Sequence, residues 1–202
     1  MKGAVMIILE DMGQKKEKHT VKNKWFYENG IDVIRVPLPV GDYVVANEKV
    51  MDVLDRKERR NIKPKKMDFL GTYSIAVDTK ENINEIANNI CSRSHGRFQD
   101  ECILAQNNGV QLYILVENED GVNDIRDLFE WHNPRLDRYN KIKFMHDIGK
   151  WQHIPLQKKP PAKGETLAKA MITMEQEYGV RFLFCHPSEA GAKVVELLEG
   201  DT

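Results

Sequence analysis

Ser74-Ile75-Ala76-Val77-Asp78-Thr79-Lys80 is the run from which the rest of the chain can be read. Its apolar lead-in to Asp-Thr-Lys is the pattern of a buried strand that ends in charge. Side chains of a strand alternate between faces, so Asp78 and Lys80 share one side and Thr79 takes the other. Upstream, Val40-Gly41-Asp42-Tyr43-Val44-Val45 reads as a second strand carrying an acid, restarted after Pro37-Leu38-Pro39 because proline cannot donate to a ladder. Gly41 lets the backbone bulge or be approached closely. By itself, Gly-Asp reads as a hairpin with a surface aspartate, and only its partners make it part of a site.

Further strands are expected at residues 4–9, where Ala4 and Val5 begin an apolar run stopped by Glu10-Asp11, and at 31–36, 111–117 and 180–185. Glu10 or Asp11, Asp42, Asp78 and Glu117 then stand at strand ends, which converge in a parallel or mixed sheet. Between the strands lie helical patterns. Thr20 is placed to cap a helix with Val21, Trp25 and Phe26 inward, closed by Gly30. Ile83, Ile86, Ala87 and Ile90 mark a helix over 81–91. After a linker at 92–96 that includes Arg93 and Ser94, Phe98, Cys102 and Ala105 mark another. That spacing sends Arg97 and Glu101 out together on a different side, as a routine i,i+4 salt bridge or as part of a site. Leu167, Met171, Met174 and Tyr178 form a core stripe ended by Gly179, and Pro187-Ser188 opens a last helix with Ala192, Val195 and Leu198 inward. The class is α/β, a central mixed sheet flanked by helices.

Two segments resist a periodic reading. Residues 47–69 are strongly charged and include Arg56, Lys57, Arg59, Arg60, Lys63, Lys65 and Lys66. They are either a solvated loop or a mobile arm that grips phosphates beside the acidic strands. Residues 131–163 read as irregular, with Trp131, His132, Arg135, His146, Trp151 and His153 interleaved. Such groups either stack on bases or pack under a long loop. Residues 118–127 read as an acidic surface loop with a short helix.

The 202 residues are expected to form a single domain, 1–202, with 41% apolar and 30% charged residues. A net charge of −1 excludes coating of nucleic acid by bulk electrostatics, so any contact must be local. Cys91, Cys102 and Cys185 include no CxxC pair, which excludes a zinc finger and a disulfide framework and suits reduced core thiols. The N-terminal run lacks a signal-peptide pattern, and no apolar stretch is long enough to span a membrane. A cytoplasmic protein is expected.

Asp42 and Asp78 with Lys80 beside them can hold a hard divalent cation and steer a water at a phosphodiester. That is the chemistry of a metal-dependent nuclease. Its rival is a nucleic-acid-binding or assembly module without turnover, which has no need to gather three ionisable groups at the cost of their desolvation.

In order along the chain, Leu9-Glu10-Asp11, Leu38-Pro39-Val40-Gly41-Asp42-Tyr43, Val77-Asp78-Thr79-Lys80 followed by a helix, Arg97-Phe98, the strand over 112–117 and the closing unit over 178–198 resemble the nuclease domain of the xeroderma pigmentosum group F family. This ERCC4-type domain is a branch of the restriction-endonuclease-like PD-(D/E)xK nucleases, and the chain is most similar to its compact bacterial and phage members. Those compact members carry Asp-Thr-Lys, whereas the eukaryotic relatives carry Glu-Arg-Lys where this chain has Asp78-Thr79-Lys80, and arginine and glutamate where it has Gly13 and Gln14. The resemblance implies a restriction-endonuclease-like fold and a structure-specific endonuclease acting on branched, flapped or forked DNA in repair or recombination, in a bacterial or phage-infected cell. It implies Mg²⁺ or Mn²⁺ on Asp42, Asp78 and the Thr79 carbonyl, Lys80 at the attacking water, Asp11 and Glu101 completing the acidic cluster, and Arg97 on a flanking phosphate. It also makes a homodimer an expectation, and a recruiting protein where larger relatives carry a helix-hairpin-helix module. Phosphoryl chemistry alone does not choose between DNA and RNA.

Overall fold

The computed structural model describes residues 6–13, 19–92 and 95–200; expectations that fall on Ala4, Val5, Gln14, Arg93 and Ser94 lie outside them. Among the described residues six strands build one sheet: β1 (Ile7–Asp11), β2 (Asp32–Val36), β3 (Tyr43–Val45), β4 (Ile75–Lys80), β5 (Gln111–Glu117) and β6 (Arg181–Cys185), in the order β2-β1-β3-β4-β5-β6. β1 and β2 are parallel, as are β4, β5 and β6, whereas β3 runs antiparallel to both β1 and β4. The sheet is therefore mixed.

Among the described residues seven α-helices accompany it: α1 (Thr20–Glu28), α2 (Glu48–Arg59), α3 (Ile83–Cys91), α4 (His95–Asn107), α5 (Pro134–Asp147), α6 (Gly164–Tyr178) and α7 (Ala190–Glu199). Strand alternation divides the core in two. Leu9, Val44, Ala76, Leu112 and Ile114 face one way and pack with apolar residues of α2, α3, α4 and α6. Ile8, Tyr43, Val77 and Leu115 face the other way, under α1 and α7. No helix among the described residues is long and apolar enough to cross a membrane.

Where helical spacing was strong, the expected inner faces are observed: Ile83, Ile86 and Ala87 on α3, Phe98, Cys102 and Ala105 on α4, Leu167 and Met171 on α6 are buried. Gly179 closes α6 in the left-handed region. Other expectations are corrected. Residues 48–59 of the 47–69 segment are not loop but α2, which buries Val50 and Val53 and is capped by the Asn47 side chain accepting from the Val50 amide, while 60–65 are turn and loop. Charged neighbours hid those two apolar anchors. The 131–163 segment contains α5, begun by Asn133 as cap and Pro134 in the first turn, which buries no residue and so lacks the stripe that reveals a helix.

α1 is rotated from its expected setting: Val21 is exposed, and Lys22 is buried beside Phe26. On α7 the stripe runs through Gly191, Val194 and Leu198 and leaves Ala192 exposed. The cause is a close approach of the two helices, for a Cβ on Gly191 would lie 2.9 Å from the Trp25 side chain. Cys102 and Cys185 are buried as expected, but Cys91 ends α3 exposed.

Candidate active site

An antiparallel strand brings its beginning to its neighbours' ends, and this is how the acids meet. Asp42 lies just before β3, not at a strand end, and thereby sits beside the C-terminal ends of β1 and β4. The Asp42 amide donates to the Val77 carbonyl and the Asp11 amide to the Asp42 carbonyl, each at 2.8 Å. Gly41 makes the turn with φ +74°, where a Cβ would lie 2.9 Å from that of Ala76. Gly41→Ala is expected to cost about 1–3 kcal/mol, since a side chain is strained at this φ whatever space it finds. Thermal unfolding of the variant at the wild-type temperature would refute it.

Asp11, Asp42, Asp78, Lys80, Arg97 and Glu101 all line one cleft of about 560 Å³. Backbone amides hold three of the carboxylates: Leu38 donates to Asp11 Oδ1 at 2.9 Å, Gly41 to Glu101 Oε1 at 2.8 Å, and Thr79 to Asp42 Oδ2 at 2.9 Å. The Thr79 hydroxyl also donates to Asp42 Oδ2, at 2.8 Å. Lys80 Nζ lies 2.5 Å from Asp78 Oδ2 and 5.2 Å from the centre of the Phe98 ring. The face-sharing of Asp78 and Lys80 is thus realised as a buried ion pair. Glu101 is bonded to the Gly41 amide, not to Arg97, so the routine salt-bridge reading of those two residues is set aside.

Three carboxylates and one lysine interact here at low solvent exposure. Burial, with the charges of Asp42 and Glu101, outweighs Lys80 and pushes the Asp78 carboxyl up to about 8. Burial also raises Asp42, but Lys80, the Thr79 amide and hydroxyl and His19 together carry it below the ordinary carboxylate range. Glu101 is raised, chiefly by burial. Burial pulls Lys80 down, yet Asp78 and Asp42 hold its ammonium above the usual lysine value. The two aspartates therefore part, one ionised and one inclined to keep a proton. The cluster has more negative charge than its lysine offsets.

Such an all-oxygen, anion-rich corner suits Mg²⁺ or Mn²⁺, which are held through one or two carboxylates and retain several waters. Among the described residues no three His, Cys, Asp or Glu side chains gather closely enough to enclose an ion by themselves. Asp42 and Asp78 would be the carboxylate ligands. Asp42 Oδ2 is engaged by the Thr79 amide and hydroxyl.

The expected convergence of every acidic strand end is corrected. Glu10 and Glu117 alternate onto the opposite face, where each has its own cation: Arg35 Nε lies 3.1 Å from Glu10, and Lys22 pairs with Glu117. Asn23 donates to Glu10 at 2.7 Å, and His19 hydrogen-bonds Tyr43 nearby. Of the basic residues between 56 and 66, Lys66 lines the cleft. Arg56 and Lys57 instead pair with Asp52 and Asp68. Glu85, Asn89 and Asp100 also line the cleft and escaped the sequence reading, and Phe98, expected only on the inner face of its helix and in the Arg97-Phe98 motif, lines it too. Glu85 and Asn89 stand four apart on α3, a spacing that marks a shared side without saying what it faces.

Residues 11–198 match the family model of the ERCC4 domain. Comparison with curated proteins finds no match. Among solved structures, XPF from Aeropyrum pernix is similar over 96% of this chain and 63% of its own, with a TM-score of 0.50 and 15% identity. The same protein in complex with DNA aligns over 96% of this chain and 64% of its own, with a TM-score of 0.51 and 16% identity. The chain thus spans less than two thirds of these structures, and the likeness at such identity is one of fold.

Proposed function

Since the chain belongs to the ERCC4 domain family, we propose that it is a divalent-metal-dependent endonuclease that hydrolyses DNA at branched, flapped or forked structures. The observation that carries the reading is the meeting of Asp42, Asp78 and Lys80 in one cleft with Asp11, Glu101 and Arg97. The DNA bound by the similar XPF structure supports the choice of substrate. A bacterial or phage setting in DNA repair or recombination fits the same reading.

Mg²⁺ or Mn²⁺ on Asp42, Asp78 and the Thr79 carbonyl would supply Lewis-acid activation of a phosphate oxygen and of water. The chain's own groups do the rest. Thr79 fixes the rotamer of Asp42 through its amide and hydroxyl. The Lys80 ammonium, kept charged by its aspartates, orients the attacking water and offsets charge that develops on the phosphoryl oxygens. Arg97 and Lys66 reach the cleft as cations for the flanking phosphates, Arg97 with the fork that suits a bidentate contact. Arg56, Lys57, Arg59, Arg60, Lys63 and Lys65 have a lesser part in this reading, since α2 fixes the first three on a packed helix. The chain pairs as a homodimer or works with a recruiting protein that supplies further grip on the duplex.

A panel of fork, flap, nicked, junction and linear DNA substrates tests the reading. Mg²⁺-dependent cleavage that favours the branched substrates is expected. Absence of metal-dependent cleavage across the panel, with DNA still bound, would leave the non-catalytic binding module in its place.

A further inference from the structure

The α5 helix and its return form one of two strongly basic stretches of the chain, the other being residues 56–66. Residues 132–163 hold eight Lys or Arg against two Asp or Glu, a local net charge of +6 in a chain of −1. All eight cations are exposed. Several cations elsewhere on the surface have acidic partners: Arg56 with Asp52, Lys24 with Glu28, Lys169 with Glu165 and Lys193 with Glu196. Among the described residues no ion pair engages Arg138, Lys143, Lys150, Lys158 or Lys159. Of the two acids, Asp137 is taken by His132 at 2.8 Å.

The segment is nevertheless ordered. Asn133 caps α5 and ties its start to the Ala162 carbonyl at 2.8 Å. His146 bonds the Ile154 carbonyl, also at 2.8 Å, and Lys141 lies 5.6 Å from the Trp151 ring centre. The helix and its return thus brace one another, although no residue of α5 is buried. A single helix stripped of core contacts has little intrinsic stability, so a folded one of this composition needs another reason for its cations.

Its placement supplies one. At the base of α5, Arg135 donates to Asn88 of α3 at 3.2 Å. The next α3 residue, Asn89, lines the acidic cleft, as does Glu85 one turn earlier. Arg135, Arg138 and Lys141 then follow at three-residue spacing along one ridge. A helix of 14 residues extends about 21 Å, roughly six base pairs of duplex. The cations accordingly begin one helix away from the cleft.

We propose that α5 with its returning segment is a phosphate-tracking arm that grips the duplex away from the scissile bond. This rests on the reading of the cleft as a DNA nuclease site. It assigns the occupant by charge: an acidic polymer matches a +6 surface on an otherwise acidic chain, and the unpaired cations are free to displace its counterions.

The test uses the full chain with Arg138, Lys141, Lys143 and Lys150 all changed to Gln, after equal thermal melting has shown the fold intact. Binding of a forked DNA of about thirty base pairs is measured in EDTA against salt, and cleavage is measured in Mg²⁺. The variant should bind at least tenfold more weakly, and the slope of log K against log salt should fall by about 0.9 for each phosphate left without its cation. KM should rise while kcat at saturating DNA stays as in the wild type. A fork too short to reach the arm should be cut equally by both proteins. Equal affinity and equal salt slope for variant and wild type would overturn the arm and point to a protein partner on α5, with the nuclease reading intact. Failure of the wild type itself to bind DNA would overturn both.

Discussion

Asp78→Asn is expected to abolish metal-dependent DNA cleavage, lowering the rate by about 10³-fold or more, while leaving the fold in place. The amide keeps the shape of the side chain and the site of the Lys80 contact but removes a negative ligand from the corner where Asp42 and Asp78 meet. Calorimetry should show the Mn²⁺ binding of the wild type and none in the variant. Stability should move the other way. Burial and the neighbouring carboxylates push Asp78 up to about 8, so its ionised form is a cost to the folded state. Above that pH the variant should melt at or above the wild-type temperature, because the remaining carboxylates share the lysine. Wild-type cleavage by the variant would remove Asp78 from the site, and unfolding would instead make it a structural residue.

Lys80→Met is expected to be the most destabilising single change at the site, by about 3–5 kcal/mol, because it leaves buried carboxylates without their counter-charge. Lys80 is 7% exposed, and the methionine fills much of its path over Phe98. The loss should depend on pH. In the wild type the native state holds a proton on Asp78 that the unfolded chain releases near 3.8, so stability falls as pH rises from about 4 to about 8. Asp42, held low, contributes in the opposite sense: its stabilisation is present above its unfolded value of 3.8 and lost as pH drops through its lower folded value. Lys80, held high, stabilises fully below 10.5 and is lost only in stronger alkali. Without the lysine both aspartates shift upward, so the variant should be closest to wild type near pH 5 and furthest from it near pH 9. Urea denaturation at the two values checks this, and a difference that ignores pH would contradict the charge argument. Cleavage should be lost at either pH.

Both predictions depend on a cluster whose members came from the sequence with unequal clarity. Asp78 and Lys80 were legible because period 2 alone puts them on one face. Asp42 was legible as an acid near Gly41, but its place was misread as a strand end. It is the antiparallel direction of β3 that brings a strand beginning into the company of the ends of β1 and β4. Glu10 and Glu117 show the converse. Each stands at or near a strand end with an acid's chemistry, yet alternation turns both to the α1 side, where Arg35 and Lys22 meet them. Lys22 in turn could not be expected inside, since a buried lysine is foreseeable only once its carboxylate partner is known.

What the sequence by itself determined is therefore local and periodic: the apolar strands, the inner faces of α3, α4 and α6, the shared face of Asp78 and Lys80, and the motif order that marks the family. Short-range periodicity carries these, because a side chain's direction along a strand or helix follows from its neighbours in the chain. Tertiary structure alone decided which acids meet, that the 47–69 and 131–163 segments contain helices, and that α5 begins against α3, the helix that lines the cleft. Those outcomes depend on strand direction and on contacts between residues far apart in the chain, such as Gly41 with Glu101 or Arg135 with Asn88, which no local pattern encodes.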